Sequence, residues 1–211
     1  MPKTEPFEHF YQRYERWFEK HYPVYLSEIE ALKKIIPDGK GIEIGTGTGR
    51  FSVPFGIKYG IEPSLKMAQI AKSRGIQIVR GIAEKLPVKN NQFDFVLMVT
   101  TICFVDDLKK SFEEAARILK KDGYIVLGYI DRNSSLGQFY LEHKEENPFY
   151  KYATFYSTEE VVSLLKETGF GDFVFYQTIF RMLDQIKEPE AVIKGYGKGS
   201  FVALRAKKLS G

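Results

Sequence analysis

The chain has 211 residues, 44% of them hydrophobic and 27% charged, with a formal net charge of +4. That length suffices for one α/β domain with a substantial core and a small appendage. The single cysteine, Cys103, excludes an internal disulfide and a cysteine-rich zinc site, and its apolar surroundings suit a small buried hydrophobe. No stretch approaches the roughly 20 apolar residues that span a bilayer, and the polar Met1–Pro6 start has no signal-peptide core. A cytoplasmic protein is expected. Lysines and arginines alternate with acids, so a nucleic-acid partner is permitted by charge but not indicated.

Along the chain, Phe7, Phe10, Tyr11, Tyr14, Trp17 and Phe18 recur at helical spacing, predicting an amphipathic helix over 7–20 that Pro23 interrupts. A second helix is expected over 25–36, with Leu26, Ile29, Leu32 and Ile36 inward, before the Pro37-Asp38-Gly39 turn. From Gly41 onward, short apolar runs alternate with amphipathic segments, the pattern of a βαβ sheet. Strands are expected at 40–44, 57–61, 76–80, 93–99 and 124–130. Helices fall at 64–74, capped by Ser64 and stopped at Gly75, and at 107–120. Segment 134–156 is aromatic and reads as a cover element whose polar part, 133–146, is open to motion. Ser157-Thr158-Glu159-Glu160 is a capping box for a helix that ends at Gly169. The runs 173–180 and 200–206 then predict an antiparallel pair closing an otherwise parallel sheet.

The chemistry concentrates at Glu43-Ile44-Gly45-Thr46-Gly47-Thr48-Gly49, directly after the first strand. Glycines there let the backbone turn sharply and bring bare N–H groups against a ligand. A dinucleotide loop spaces its glycines as Gly-x-Gly-x-x-Gly. This one reads Gly-x-Gly-x-Gly, and Glu43 would repel a diphosphate while suiting a cationic amino-acid end. Glu62 closes the next strand, where a carboxylate can accept both hydroxyls of a ribose.

With these residues in view, the chain resembles the class I S-adenosylmethionine-dependent methyltransferases. The glycine loop is similar to their first motif, Ile61-Glu62-Pro63-Ser64 with Met67 to the ribose segment, and Gly81–Pro87 to the adenine-side loop. Segments 91–96 and 117–124 resemble the fourth strand and the entry to the fifth. The resemblance covers residues 38–206 and implies an α/β, Rossmann-like, doubly wound, mostly parallel sheet of seven strands. Their order would be 3-2-1-4-5-7-6, with strand 7 antiparallel. Residues 1–37 would form a helical cap on the same domain, and 38–211 the S-adenosylmethionine-binding part.

By position, the resemblance puts Glu43 near the methionine ammonium, and Gly45, Thr46 and Gly47, with Gly49 closing the motif, along the methionine and ribose side. Glu62 would hold the ribose hydroxyls, with Pro63 beside it among the cofactor-binding positions, Met67 would pack near the adenine, the backbone of Ala83 and Glu84 would meet the adenine edge, and Thr100 would lie beneath the methionine part. Two departures stand out. Ile82 occupies a position where many relatives carry an aspartate, leaving adenine selection to Glu84 or the backbone. The stretch from Gly49 to Glu62 also leaves room for only about one helical turn, and Pro54 and Gly56 oppose a longer one.

Methyl transfer needs alignment and exclusion of water more than a conspicuous catalytic dyad. Tyr11, Tyr14, Trp17, Phe18 and Tyr22 are candidates for an aromatic lid, and Asp131 and Arg132 for contacts at the end of the fifth strand. His9, His21 and His143 have no metal-ligand spacing; His21, His143 and Asp131 are the weak candidates for a proton acceptor. Val99-Thr100-Thr101-Ile102 after the fourth strand lacks the asparagine-proline-proline-tyrosine type of motif, which argues against adenine-N6 or glutamine-amide acceptors. The expected partner is a small-molecule acceptor bearing nitrogen, oxygen or carboxylate, on a monomer or homodimer. A binding protein of the same fold without turnover, an RNA methyltransferase and a nicotinamide oxidoreductase are the alternatives.

Overall fold

Every second residue of the central apolar run Phe95–Val99 faces the same way, and that alternation divides the core. In the computed structural model, which describes residues 4–209, Val96 and Met98 enter one buried cluster while Phe95, Leu97 and Val99 enter the other. Met1–Lys3, Ser210 and Gly211, part of the expected segments, lie outside the described residues.

The first layer is helical: α1 (Glu5–His9), α2 (Tyr11–Lys20) and α3 (Tyr22–Lys33). The single helix expected over 7–20 is thus divided at Phe10, whose backbone leaves helical geometry at φ −114°, ψ 23°. Pro23 does not end a helix; it sits in the first turn of α3, where its missing N–H is not needed. The sheet strands are β1 (Gly41–Ile44), β2 (Tyr59–Ile61), β3 (Gln77–Val79), β4 (Phe93–Val99), β5 (Leu119–Ile130), β6 (Phe170–Thr178), β7 (Ile193–Lys194) and β8 (Phe201–Lys208). They lie in the order β3-β2-β1-β4-β5-β8-β6-β7. The pairs from β3 to β5 are parallel, and β8 runs antiparallel to both β5 and β6. This is the expected order, with β8 in the role of strand 7 and the two-residue β7 added as an eighth strand at the edge.

Helix α4 (Leu65–Ser73) is capped by the Ser64 hydroxyl, which accepts from the Met67 N–H, and Gly75 follows with φ +85°. Helix α5 (Leu108–Ile118) buries Leu108, Phe112 and Ala115 against one sheet face. Helix α7 (Thr158–Glu167) carries the full capping box of Ser157 and Glu160 and gives way to Gly169 at φ +85°. On the opposite face, α3 packs with α6 (Ser135–Glu142) and the aromatic turn Tyr150–Tyr152. Within the 133–146 segment, residues Ser135–Glu142 form α6, whose first turn is capped by the Ser134 hydroxyl. Residues 50–56 form turns, so the connection from β1 to β2 has no regular helix.

Candidate functional site

The parallel strands β1, β2 and β4 end along one edge, and the loops that leave them form a crevice there. Gly45 and Gly47 adopt φ +70° and +56°, the left-handed region that a side chain disfavours. A Cβ at Gly45 would lie 2.4 Å from Thr101 Cγ2, and one at Gly47 would lie 3.1 Å from the Tyr14 hydroxyl. The loop is therefore bare because its backbone is left-handed at both glycines and Thr101 leaves no room for a side chain at Gly45. Gly47 N–H donates to Glu62 Oε2 at 2.7 Å, and Ser64 N–H to Glu62 Oε1 at 2.8 Å. Burial, opposed by these two donors, pushes the Glu62 carboxyl up to about 7.

A cavity opens over this loop. Gly45, Gly47, Glu62, Pro63 and Met67 form one side; Ile82, Ala83 and Glu84 form another. Thr100 closes the floor with φ +50°, an uncommon conformation for a β-branched residue. The Glu84 carboxylate accepts the Asp106 N–H at 2.6 Å and the Asp107 N–H at 3.3 Å, tying this wall to the start of α5. Eight of the eleven expected ligand-binding positions thus converge on one cavity.

Glu43, Thr46 and Gly49 are not among its lining residues. Glu43 is 1% exposed and takes a hydrogen bond from the Ser52 hydroxyl; burial pushes its carboxyl up to about 8. The Thr46 hydroxyl donates back to the Glu43 carbonyl at 2.9 Å. A Cβ at Gly49 would meet Ile76 Cδ1 at 2.3 Å, so that glycine serves the packing behind the loop.

The aromatic stripe divides in the same way. Tyr14 lines the cavity over the glycine loop and also a second cavity, which Trp17 and Phe18 line with it. Tyr11 and Tyr22 line neither, and Tyr22 is 54% exposed. Helix α2 is fastened over the loop by Glu15, whose carboxylate meets Arg50 Nη2 and Arg74 Nη2 at 2.5 Å each and also accepts the Thr48 hydroxyl. Burial would raise the Glu15 carboxyl, but these donors hold it down at about 2. Glu8 of α1 adds a second fastening by accepting the backbone N–H groups of Leu65 and Lys66 at the start of α4.

None of the three weak proton-acceptor candidates lines either cavity. Asp131 is buried and bonded to the Asn133 N–H and to Thr158, where it braces the end of β5. His143 stacks on Phe139 and meets its carbonyl, and His21 packs against Trp17. Arg132 pairs with Glu160 at 2.9 Å and also lies off both cavities. Conversely, Phe7, Phe104, Asp106 and Glu28 line a cavity without having been expected to. Glu28 carried a readable signal: with Tyr25, Ile29 and Leu32 it occupies the inward i, i+3, i+4, i+7 face of α3. Among the described residues no group of three His, Cys, Asp or Glu could hold a metal ion, and no helix is long and apolar enough to cross a membrane.

Residues 42–127 match the family described as "Methyltransferase domain". A Thermotoga maritima crystal structure, described as a SAM-dependent methyltransferase and possible histamine N-methyltransferase, is 51% identical with a TM-score of 0.96; the alignment covers 97% of this chain and 99% of that one. An uncharacterized protein of Methanocaldococcus jannaschii is 47% identical over 96% of this chain and 98% of its own length. The demethylmenaquinone methyltransferase of Staphylococcus epidermidis is 24% identical over 80% of this chain and 84% of its own.

Proposed function

The chain belongs to the class I S-adenosylmethionine-dependent methyltransferases, and from that premise we propose that its methyl acceptor is a small molecule bearing a nitrogen, oxygen or carboxylate nucleophile. The observation that carries this reading is the second, largely aromatic cavity, which shares Phe7, Tyr14, Thr100 and Phe104 with the cavity over the glycine loop. An occupant of one therefore abuts an occupant of the other. A cavity of about 200 Å³ suits a small acceptor better than an RNA strand, which calls for a basic track. The Thermotoga relative's description places nitrogen among the acceptors to try first.

S-adenosylmethionine would supply a methyl carbon activated by its sulfonium for transfer to the acceptor's lone pair, the carbon–sulfur electron pair staying with sulfur. The residues present fit this cofactor. Glu62 keeps a free lone pair on each oxygen beyond the two N–H groups it accepts, enough for the two ribose hydroxyls. Gly45 and Gly47 present bare backbone to the methionine side, with Thr100 beneath it. Met67, Pro63 and Ile82 offer apolar contact to the adenine, and the backbone of Ala83 and Glu84 its polar edge. Asp106 brings a carboxylate to the wall where Ile82 has none. Glu43, Thr46 and Gly49 act from behind by fixing the loop. Residues 4–37 serve as a cap on the same domain, with Phe7 and Tyr14 excluding water from the shared wall, on a monomer or homodimer.

The test is turnover: methyl transfer from S-adenosylmethionine to a panel of small amines, phenols and carboxylates, run beside total RNA. Methylation of a small acceptor supports the reading. Methylation of RNA alone overturns it.

A further inference from the structure

We infer that Glu28 recognises a positively charged amino group on the methyl acceptor, which makes the acceptor a small amine with an apolar or aromatic body seated in the second cavity. The inference rests on the methyltransferase reading above and specifies its substrate. Glu28 is the only carboxylate lining that cavity and is 4% exposed. Among the described residues, none donates a hydrogen bond to its carboxylate or pairs with it, and burial alone pushes the carboxyl up to about 8. A helix face that also holds Tyr25, Ile29 and Leu32 would pack at no such cost with an apolar residue at this position. An unpaired acid kept inside an apolar chamber is instead suited to a cation that arrives from solvent.

The rest of the chamber agrees. Trp17, Phe149 and Tyr150 offer aromatic faces, which attract organic cations. The titratable groups facing Glu28 are Tyr25 of its own helix, Tyr140 of α6 and Tyr150 of the following turn, whose phenols burial pushes up and so keeps neutral. Arg13 of α2 is the only formal positive charge in the lining and is itself exposed. Phe7, Tyr14, Thr100 and Phe104 form the wall shared with the cofactor cavity. With its ammonium held at Glu28, the acceptor extends its other end toward that wall, where the nucleophile must be. At pH 7 the empty site is mostly protonated, so an incoming ammonium ionises Glu28 and releases a proton.

The experiment is titration of the protein loaded with S-adenosylhomocysteine. The probes are tyramine and phenethylamine and their hydroxyl counterparts, tyrosol and 2-phenylethanol, each in phosphate and in Tris at pH 7. We expect an amine to bind at least tenfold more tightly than its hydroxyl counterpart, with proton release seen as a difference in heat between the buffers. Glu28→Gln should lose both the preference and the proton release while binding S-adenosylhomocysteine as the wild type does. Glu28→Met replaces it if the glutamine variant does not fold. Equal binding of amine and alcohol, a preference retained in the variant, or no amine bound by the loaded wild type would overturn the inference and leave the methyltransferase reading intact. Failure of S-adenosylhomocysteine to bind the wild type would instead overturn the parent reading, and this inference with it.

Discussion

At the scale of single residues, carboxyl groups organise the site. Glu62 receives two backbone N–H groups and faces the cavity, so its replacement removes charge-assisted acceptors from a buried position. Glu62→Gln should weaken S-adenosylhomocysteine binding by about 1.5–3 kcal/mol, roughly ten- to a hundredfold; isothermal titration measures it, and a wild-type affinity would remove Glu62 from the site. Thr100 holds a left-handed backbone that costs a β-branched residue about 1–2 kcal/mol, of which glycine's own entropy returns part. Thr100→Gly should therefore gain roughly 0.5–1 kcal/mol of stability in urea unfolding while cofactor affinity falls. The loop glycines and Glu62 were legible in the sequence because their spacing after two strand ends fixes where they must lie. Glu28 was legible only through its phase against Tyr25, Ile29 and Leu32, a signal easily passed over because a glutamate in a helix is ordinarily solvated. For His21, His143 and Asp131 the residue type suggests proton transfer, but the packing puts each outside both cavities.

At the scale of elements, the aromatic helices form a cap secured by charge. Its apolar stripe was readable at helical spacing, but the break at Phe10 was not, since no proline or glycine stands there. The break turns Phe7 onto Phe104 and Phe149, with ring centroids 5.0 and 5.3 Å apart. Glu15 spans from α2 to Arg50, just after the glycine loop, and Arg74, at the end of α4. Glu15→Gln leaves two half-buried guanidinium groups without their carboxylate and should cost about 1–3 kcal/mol. A calorimetric Tm drop accompanied by weaker cofactor binding is expected; a lower Tm with unchanged binding would show that the fastening serves the fold alone. The short turn between β1 and β2 was foreseeable from Pro54 and Gly56. The two-residue β7 was not, because Ile193–Lys194 has too few residues to show a period.

At the scale of the whole molecule, one sheet separates two cores, and the side that carries the cap also carries the second cavity. Three buried acids, Glu28, Glu43 and Glu62, have folded values of about 8, 8 and 7, against 4.5 when unperturbed. Each raised value means that the folded state binds more protons than the unfolded chain between pH 4.5 and its own folded value. Stability without ligand is therefore full below about 4.5 on their account and declines as pH rises to about 8. Glu15, held at about 2, acts oppositely: its contribution is present above 4.5 and is lost as pH falls toward 2. Urea midpoints measured from pH 3 to 9 should thus peak in the mildly acidic range. Glu28→Gln should flatten the decline between about pH 4.5 and 8, and an unchanged decline would contradict the burial of that acid. The fold was legible in most of its length because strand ends, caps and glycine stops agree along residues 38–206. What remained hidden is which side chains the three-dimensional packing sends inward.

On the proposed reading, the glycine loop and Glu62 hold the cofactor beneath the aromatic helices α1 and α2. Isothermal titration of the wild type and Glu62→Gln with S-adenosylmethionine, and in parallel with NADH, tests it most directly. S-adenosylmethionine alone should bind at micromolar concentration, at least tenfold more weakly to the variant. Absence of that binding, or tighter binding of NADH, would contradict the reading.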